Sequence, residues 1–177
     1  MDITKSDKHC VLIADDNPEN LDVLSNILEE DGYRVRTSRN GKLALESIET
    51  SPVDLVLADI HMPEMDGYEL CKKLKANPVT KDIPVIFVSA IDESFNKVIA
   101  FELGGVDYLT KPVEPKEVQA RVRTHLKIQS LQNELRQHNE SLEQMVDERN
   151  QKLKDAIDQL KDMNVRLQKL DQAKSDF

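Results

Sequence analysis

The stretch Cys10-Val11-Leu12-Ile13-Ala14-Asp15-Asp16-Asn17-Pro18 decides the fold. Five small or aliphatic residues in a row, without polar alternation, read as a strand buried on both faces. That condition belongs to a parallel sheet covered by helices on each side. Pro18, which has no amide to donate, suits the first turn of a helix. The apolar face of that helix recurs at helical spacing as Leu21, Leu24, Ile27 and Leu28, and Asp31-Gly32 stops it. Outward from there the alternation repeats. A more polar strand falls near 34–37, a helix near 42–49 with Leu43, Leu45 and Ile48 as apolar positions, and an apolar strand at 53–58 ending at Asp59. After the loop 61–67 come a short helix at 68–75, a strand at 84–88 ending at Ser89, and a helix at 94–103 stopped by Gly104-Gly105. A short strand at 106–109 is followed by Lys111, and Pro115 opens the fifth helix. Five βα units in this length predict an α/β, doubly wound, five-stranded parallel sheet, for which 2-1-3-4-5 is the common strand order.

Nothing interrupts the helix after Pro115: residues 116–175 contain neither Pro nor Gly. Ile128, Leu131, Leu135, His138, Leu142 and Met145 recur at alternating steps of three and four, as do Leu153, Ala156, Leu160, Met163, Leu167 and Leu170. That is coiled-coil spacing. The two runs join through Arg149 by two consecutive steps of four, a stutter that locally unwinds a supercoil. About 50 residues of such a helix measure roughly 75 Å. A stripe this apolar needs a cover, and a dimer supplies one. His138 sits at a core position, where one polar residue fixes register, and Arg149 suits a snorkelling role. The expected organisation is a disordered tail at 1–8, a globular domain at 9–123 and a coiled-coil helix at 124–177.

With 33 acidic and 24 basic residues the formal net charge is -9, and the acid excess lies almost entirely ahead of Thr124. Neither half carries a basic footprint, which argues against direct nucleic-acid binding. No apolar run approaches the length of a membrane span, and the polar N-terminus is no signal peptide. The two cysteines, Cys10 and Cys71, lack metal-ligand spacing and fall on core-facing elements, as reduced thiols in a cytoplasmic protein would.

Ligands of open α/β sheets bind beyond the carboxyl ends of the strands where the winding reverses. In the expected order, Asp15-Asp16 and Asp59 end neighbouring strands there. Three carboxylates in one small pocket repel by several kcal/mol at intermediate dielectric, so a divalent cation is the natural remedy. All-oxygen ligation favours Mg²⁺ or Mn²⁺. The plainer reading is that acidic residues are common at strand ends and that Asp16-Asn17-Pro18 caps a helix. Ser89 after strand four and Lys111 after strand five shift the balance. Carboxylates, a hydroxyl and an ammonium on one edge suit phosphoryl transfer.

Asp15-Asp16, the run from Asp59 to Gly67 (Asp-Ile-His-Met-Pro-Glu-Met-Asp-Gly), Val88-Ser89-Ala90 and Tyr108-Leu109-Thr110-Lys111-Pro112 resemble the receiver domains of bacterial two-component response regulators. The resemblance implies a flavodoxin-like fold over 9–123 and a signalling domain whose only chemistry is its own phosphorylation and dephosphorylation. Asp59 would take phosphate from a histidine kinase or phosphotransfer protein. Asp16, Asp59 and the backbone carbonyl of His61 would bind Mg²⁺ directly, and Asp15 through water. Lys111 would pair with the phosphoryl group, Ser89 would close on it, and Tyr108 would be the switch aromatic. The Lys111-Pro112 bond would be cis. His61 and Ile91 occupy the positions that tune dephosphorylation in the family.

Residues 171–177 resemble the lead-in to the phosphohistidine helix of hybrid kinases, which implies an output module beyond Phe177. The expected assembly is a parallel homodimer through helix five and the coil, which would relay phosphorylation to that output. His125 and His138 invite a phosphohistidine reading, but structural roles fit both better. A rival class is a constitutive scaffold with an insensitive receiver fold, which the intact set Asp15, Asp16, Asp59, Ser89 and Lys111 opposes. A haloacid-dehalogenase-like phosphatase would need a second Asp where His61 stands.

Overall fold

A computed structural model describes residues 9–90 and 96–175, with side chains over 9–90 and 98–172. The expected tail 1–8, Ile91 and the last two residues lie outside the described residues. Among the described residues ten elements alternate: β1 Cys10–Ala14, α1 Pro18–Glu30, β2 Arg34–Ser38, α2 Gly41–Thr50, β3 Leu55–Asp59, α3 Gly67–Ala76, β4 Val85–Ala90, α4 Asn96–Glu102, β5 Asp107–Lys111 and α5 Pro115–Ser175. The five strands form one parallel sheet in the order β2-β1-β3-β4-β5.

Each face of the sheet carries its own core. Leu12 and Ala14, Val56 and Ala58, and Val85 and Phe87 point to the side covered by α2, α3 and α4. Val11 and Ile13, Leu55 and Leu57, and Ile86 and Val88 point the other way, against Leu21, Leu24, Ile27 and Leu28 of α1 and Val118, Val122 and Leu126 of α5. The unbroken apolar runs in the sequence are therefore a period of two shared between two cores. The two edge strands β2 and β5 are the exceptions, part-exposed and polar, and on β2 Arg36 uses its guanidinium to hold the carbonyls of Ser47 and Ser51 at the end of α2.

Side-chain caps start the helices. Asn17 accepts from the Glu19 amide at 2.9 Å, Asn40 from Leu43 at 2.8 Å and Asp66 from Glu69 at 2.8 Å. Gly32 and Gly104 both take φ +92°, the left-handed backbone that closes α1 and the turn after α4.

Two expectations need correction. On α2 the buried positions are Gly41, Ala44 and Ile48, whereas Leu43 is 47% exposed. The reason is that a single helix face meets the sheet, and Ala44 lets α2 approach it closely. Strand five runs on through Thr110 and Lys111, because β4 continues to pair with it (Ser89 with Thr110, Ala90 with Lys111). Backbone pairing, which side-chain polarity does not report, sets that boundary. The start of the helix expected at 94 lies outside the described residues, and α4 is observed from Asn96.

The chain divides into two units, Met1–Ser130 and Leu131–Phe177. In the second unit every described side chain from Leu131 to Gln172 is exposed, the leucines of the heptad stripe included. Among the described residues no helix is long and apolar enough to cross a membrane.

Candidate functional site

Register brings the acidic residues together. Ala14 of β1 pairs with Ala58 of β3, so Asp15 and Asp59 leave adjacent strands at the same edge. One carboxylate oxygen from each of Asp15, Asp16 and Asp59 lies within 4.8 Å of the others. Asp15 is 1% and Asp59 7% exposed, while Asp16 faces solvent. At that separation each like-charged pair costs about 3 kcal/mol for an effective dielectric near 20.

Lys111, at the end of β5, answers part of that charge. Its Nζ lies 2.8 Å from Asp59 Oδ2 and 2.9 Å from Asp15 Oδ2. Burial pushes the Asp59 carboxyl up, and the Lys111 hydrogen bond and charge only partly offset this. Burial also disfavours the Lys111 ammonium, but its bonds to Asp59 and Asp15 outweigh it and hold the pKa above the ordinary lysine value. Among the described residues one cation faces three carboxylates, so the pocket remains acidic.

The two buried carboxylates are held differently. Asp15 Oδ1 accepts from the Asn17 amide at 2.9 Å, and the Asn20 side chain donates to Oδ1 at 3.1 Å and Oδ2 at 3.0 Å. With Lys111 on Oδ2, the Asp15 carboxylate is close to saturated. Among the described residues, Asp59 Oδ1 meets only the long 3.4 Å contact from the His61 amide. Asp16 takes no hydrogen bond or ion pair among the described residues.

The loop after Asp59 must fold back onto its own strand. The Gly67 amide donates to Ile60 O at 3.0 Å, and a Cβ at Gly67 would lie 2.3 Å from the Asp59 carbonyl oxygen, so only glycine fits. Asn40 braces the same loop, its Nδ2 lying 3.2 Å from Glu64 Oε1, and the Gly41 amide donates to Met65 O at 3.0 Å.

Among the other expected site residues, Ser89 is 5% exposed at the end of β4, on the strand beside Asp59. The side chain of His61 is exposed. Tyr108 is half-buried, edge-on to Phe101 with ring centroids 6.3 Å apart and with its ring 5.8 Å from the Arg121 guanidinium. His125 bonds Asp107 at 3.0 Å, and Arg121 pairs with the same carboxylate at 2.5 Å. The Lys111-Pro112 bond is cis. Cys10 and Cys71 are free and buried, and burial pushes the Cys71 thiol up to about 11. Asn20 and Asn40 were not singled out from sequence, and Gly67 was quoted only as the last residue of the run that opens at Asp59. The signal for Asn20 was present, since it lies one turn before Leu24 on an otherwise apolar helix stripe.

Residues 11–123 match the response regulator receiver domain. The chain belongs to that family. Curated relatives of this receiver include a "Probable cyclic di-GMP phosphodiesterase" of Vibrio cholerae, 44% identical over 75% of this chain and 30% of its own length. The alkaline phosphatase synthesis transcriptional regulatory protein PhoP of Bacillus subtilis is 40% identical over 66% of this chain and 48% of its own. Response regulator PleD of Caulobacter vibrioides is 36% identical over 74% and 29%. The chain thus spans half or less of the length of these relatives. A crystal structure of a response regulator from Chloroflexus aurantiacus superimposes with a TM-score of 0.66 at 37% identity, covering 68% of this chain and 98% of that one. The receiver of a Syntrophus aciditrophicus signal transduction histidine kinase gives 0.63 at 36% identity, over 67% and 90%.

Proposed function

We propose that this receiver is a phosphoacceptor switch in which Asp59 carries the phosphoryl group. The observation that carries the reading is the sharing of Lys111 between Asp15 and Asp59 inside a cluster of three carboxylates. An Asp59 carboxylate oxygen attacks the phosphorus of a phosphohistidine on a kinase or phosphotransfer protein. The P–O bond forms as the P–N bond breaks, and the electron pair leaves on the imidazole. Lys111 follows the new negative charge, and Ser89 donates its hydroxyl to a phosphoryl oxygen.

Among the described residues the donor set fits Mg²⁺: three carboxylates with no nitrogen or sulfur ligand, and an exposed Asp16. Asp16, Asp59 and the His61 carbonyl would hold the ion directly and Asp15 through water. Bound there, Mg²⁺ supplies charge neutralisation for the transferred group.

We take residues 9–123 as the receiver and 124–177 as the coil. Phosphorylation adds roughly two negative charges beside Lys111. Ser89 and Tyr108 then repack the face made by α4, β5 and α5, and α5 passes the change to a parallel homodimeric coil. The coil acts on an output module, and the name of the Vibrio cholerae relative makes cyclic di-GMP hydrolysis the first activity to assay. The test is a beryllofluoride titration with Mg²⁺, followed by NMR and by spin labels on the coil. Shifts at Asp59, Ser89 and Lys111 together with altered inter-helix distances support the switch. No response at the site favours a constitutive scaffold, and a response at the site with unaltered coil distances removes the relay.

A further inference from the structure

We infer that Asn20 is a positioning residue for the phosphoacceptor pocket: its amide clamps both oxygens of Asp15 and thereby confines that carboxylate to a water-mediated role. The inference rests on the Mg²⁺-dependent reading given above and names a residue which that reading does not use.

The surroundings of Asn20 do not explain an amide. The side chain is half-buried and borders a cavity of about 200 Å³ lined by Val23, Leu24, Val88, Pro112, Val113 and the Lys111 side chain. An aliphatic residue would pack there at least as well. What the amide does instead is contact Asp15 Oδ1 at 3.1 Å and Oδ2 at 3.0 Å. Asp15 is 1% exposed, and a buried carboxylate left under-satisfied is costly. Three donors now surround it: the Asn17 amide, the Asn20 amide and Lys111 Nζ.

Two consequences follow. The Asp15 lone pairs are nearly all occupied, so direct coordination falls to Asp16 and Asp59, whose carboxylates are less engaged, and the Oδ2 position that Lys111 vacates is left to accept from an ion-bound water. Lys111 is also freed. Among the described residues it is the one donor common to Asp15 and Asp59, and it must turn toward the phosphoryl group during transfer. With Asn20 still donating, Asp15 remains compensated when Lys111 leaves it. Without Asn20, Asp15 keeps only the Asn17 amide and holds Lys111 back.

The test compares Mg²⁺ dissociation constants from ¹H–¹⁵N NMR titrations of the wild type, Asn20→Leu, Asp15→Asn and the double variant. Leu suits the apolar cavity, and thermal melts without Mg²⁺ check that the fold is retained. The clamp predicts about tenfold weaker Mg²⁺ binding in Asn20→Leu, in the range found when partners that orient metal ligands are removed. It also predicts no further loss when Asn20→Leu is added to Asp15→Asn. An Asn20→Leu affinity within twofold of wild type overturns the inference, as does equal weakening in the Asp15→Asn background. If the wild type binds no Mg²⁺, the proposed function fails instead, and the clamp is judged on the metal-free protein at fixed pH. There the Asp15 carboxyl ¹³C resonance moves in Asn20→Leu if the clamp exists, and an unmoved resonance overturns it.

Discussion

Lys111 and Asp59 set the electrostatics of the site, and Asp59 gives a stability prediction with a definite sign. Burial holds its carboxyl above the usual range despite the Lys111 hydrogen bond. The folded state therefore binds that proton more tightly than the unfolded chain does. The ionised form costs stability at neutral pH, and this cost shrinks once pH falls below the raised pKa and is gone below the ordinary carboxylate value. Asp59→Asn is expected to raise the melting midpoint at pH 7 without Mg²⁺ and to leave it unchanged at pH 3, as calorimetry across pH would show. Asp107 carries the opposite sign. Burial disfavours its charge, but the hydrogen bonds from Arg121 and His125 outweigh this and lower the pKa. Its stabilisation is present above the ordinary carboxylate range and lost as pH falls through the lowered value. Asp107→Asn should therefore lower the midpoint at pH 7, with the deficit shrinking in acid. Asp15, Asp16, Asp59 and Lys111 were legible as a cluster because strand order alone puts strand ends together. Asn20 went unrecognised although it interrupts the apolar stripe of α1, since that position shows that something polar faces it and not which group does.

At the scale of elements, the site depends on how closely the loop after β3 returns to its strand. A methyl group at Gly67 would stand 2.3 Å from the Asp59 carbonyl oxygen, a backbone atom that cannot swing away. Gly67→Ala should cost more than about 2 kcal/mol in urea denaturation, by overpacking against backbone. It should also weaken Mg²⁺ binding by displacing Asp59, and unchanged stability and affinity would mean that the loop yields freely. Leu24, fully buried between α1 and the sheet, gives a check on the core itself. Leu24→Ala is expected to cost about 2–5 kcal/mol, with Asp59 phosphorylation retained in the folded fraction. Strand identities, helix order and the α1 face were readable because apolar periodicity reports burial directly. The length of β5 and the exposure of Leu43 were not, because one depends on backbone pairing with β4 and the other on which side of α2 meets the sheet.

For the whole molecule, the heptad spacing was plain in the sequence, but what covers the stripe is not written in one chain. Leu131, Leu135, Leu142, Leu160 and Leu167 are each more than half exposed, an arrangement suited to a second copy. Leu142→Glu together with Leu160→Glu should weaken dimerisation at least about 100-fold, equivalent to about 2.8 kcal/mol, as sedimentation equilibrium would report. Phosphorylation of Asp59 should persist in that variant, because Asp15, Asp16, Asp59 and Lys111 all belong to the first unit. The central claim is tested most directly by incubating the protein with Mg²⁺ and acetyl phosphate and recording intact mass beside Asp59→Asn. The account predicts the gain of one phosphoryl group, absent from Asp59→Asn and absent without Mg²⁺. An unmodified mass at every time point, or an adduct that survives Asp59→Asn, would contradict it.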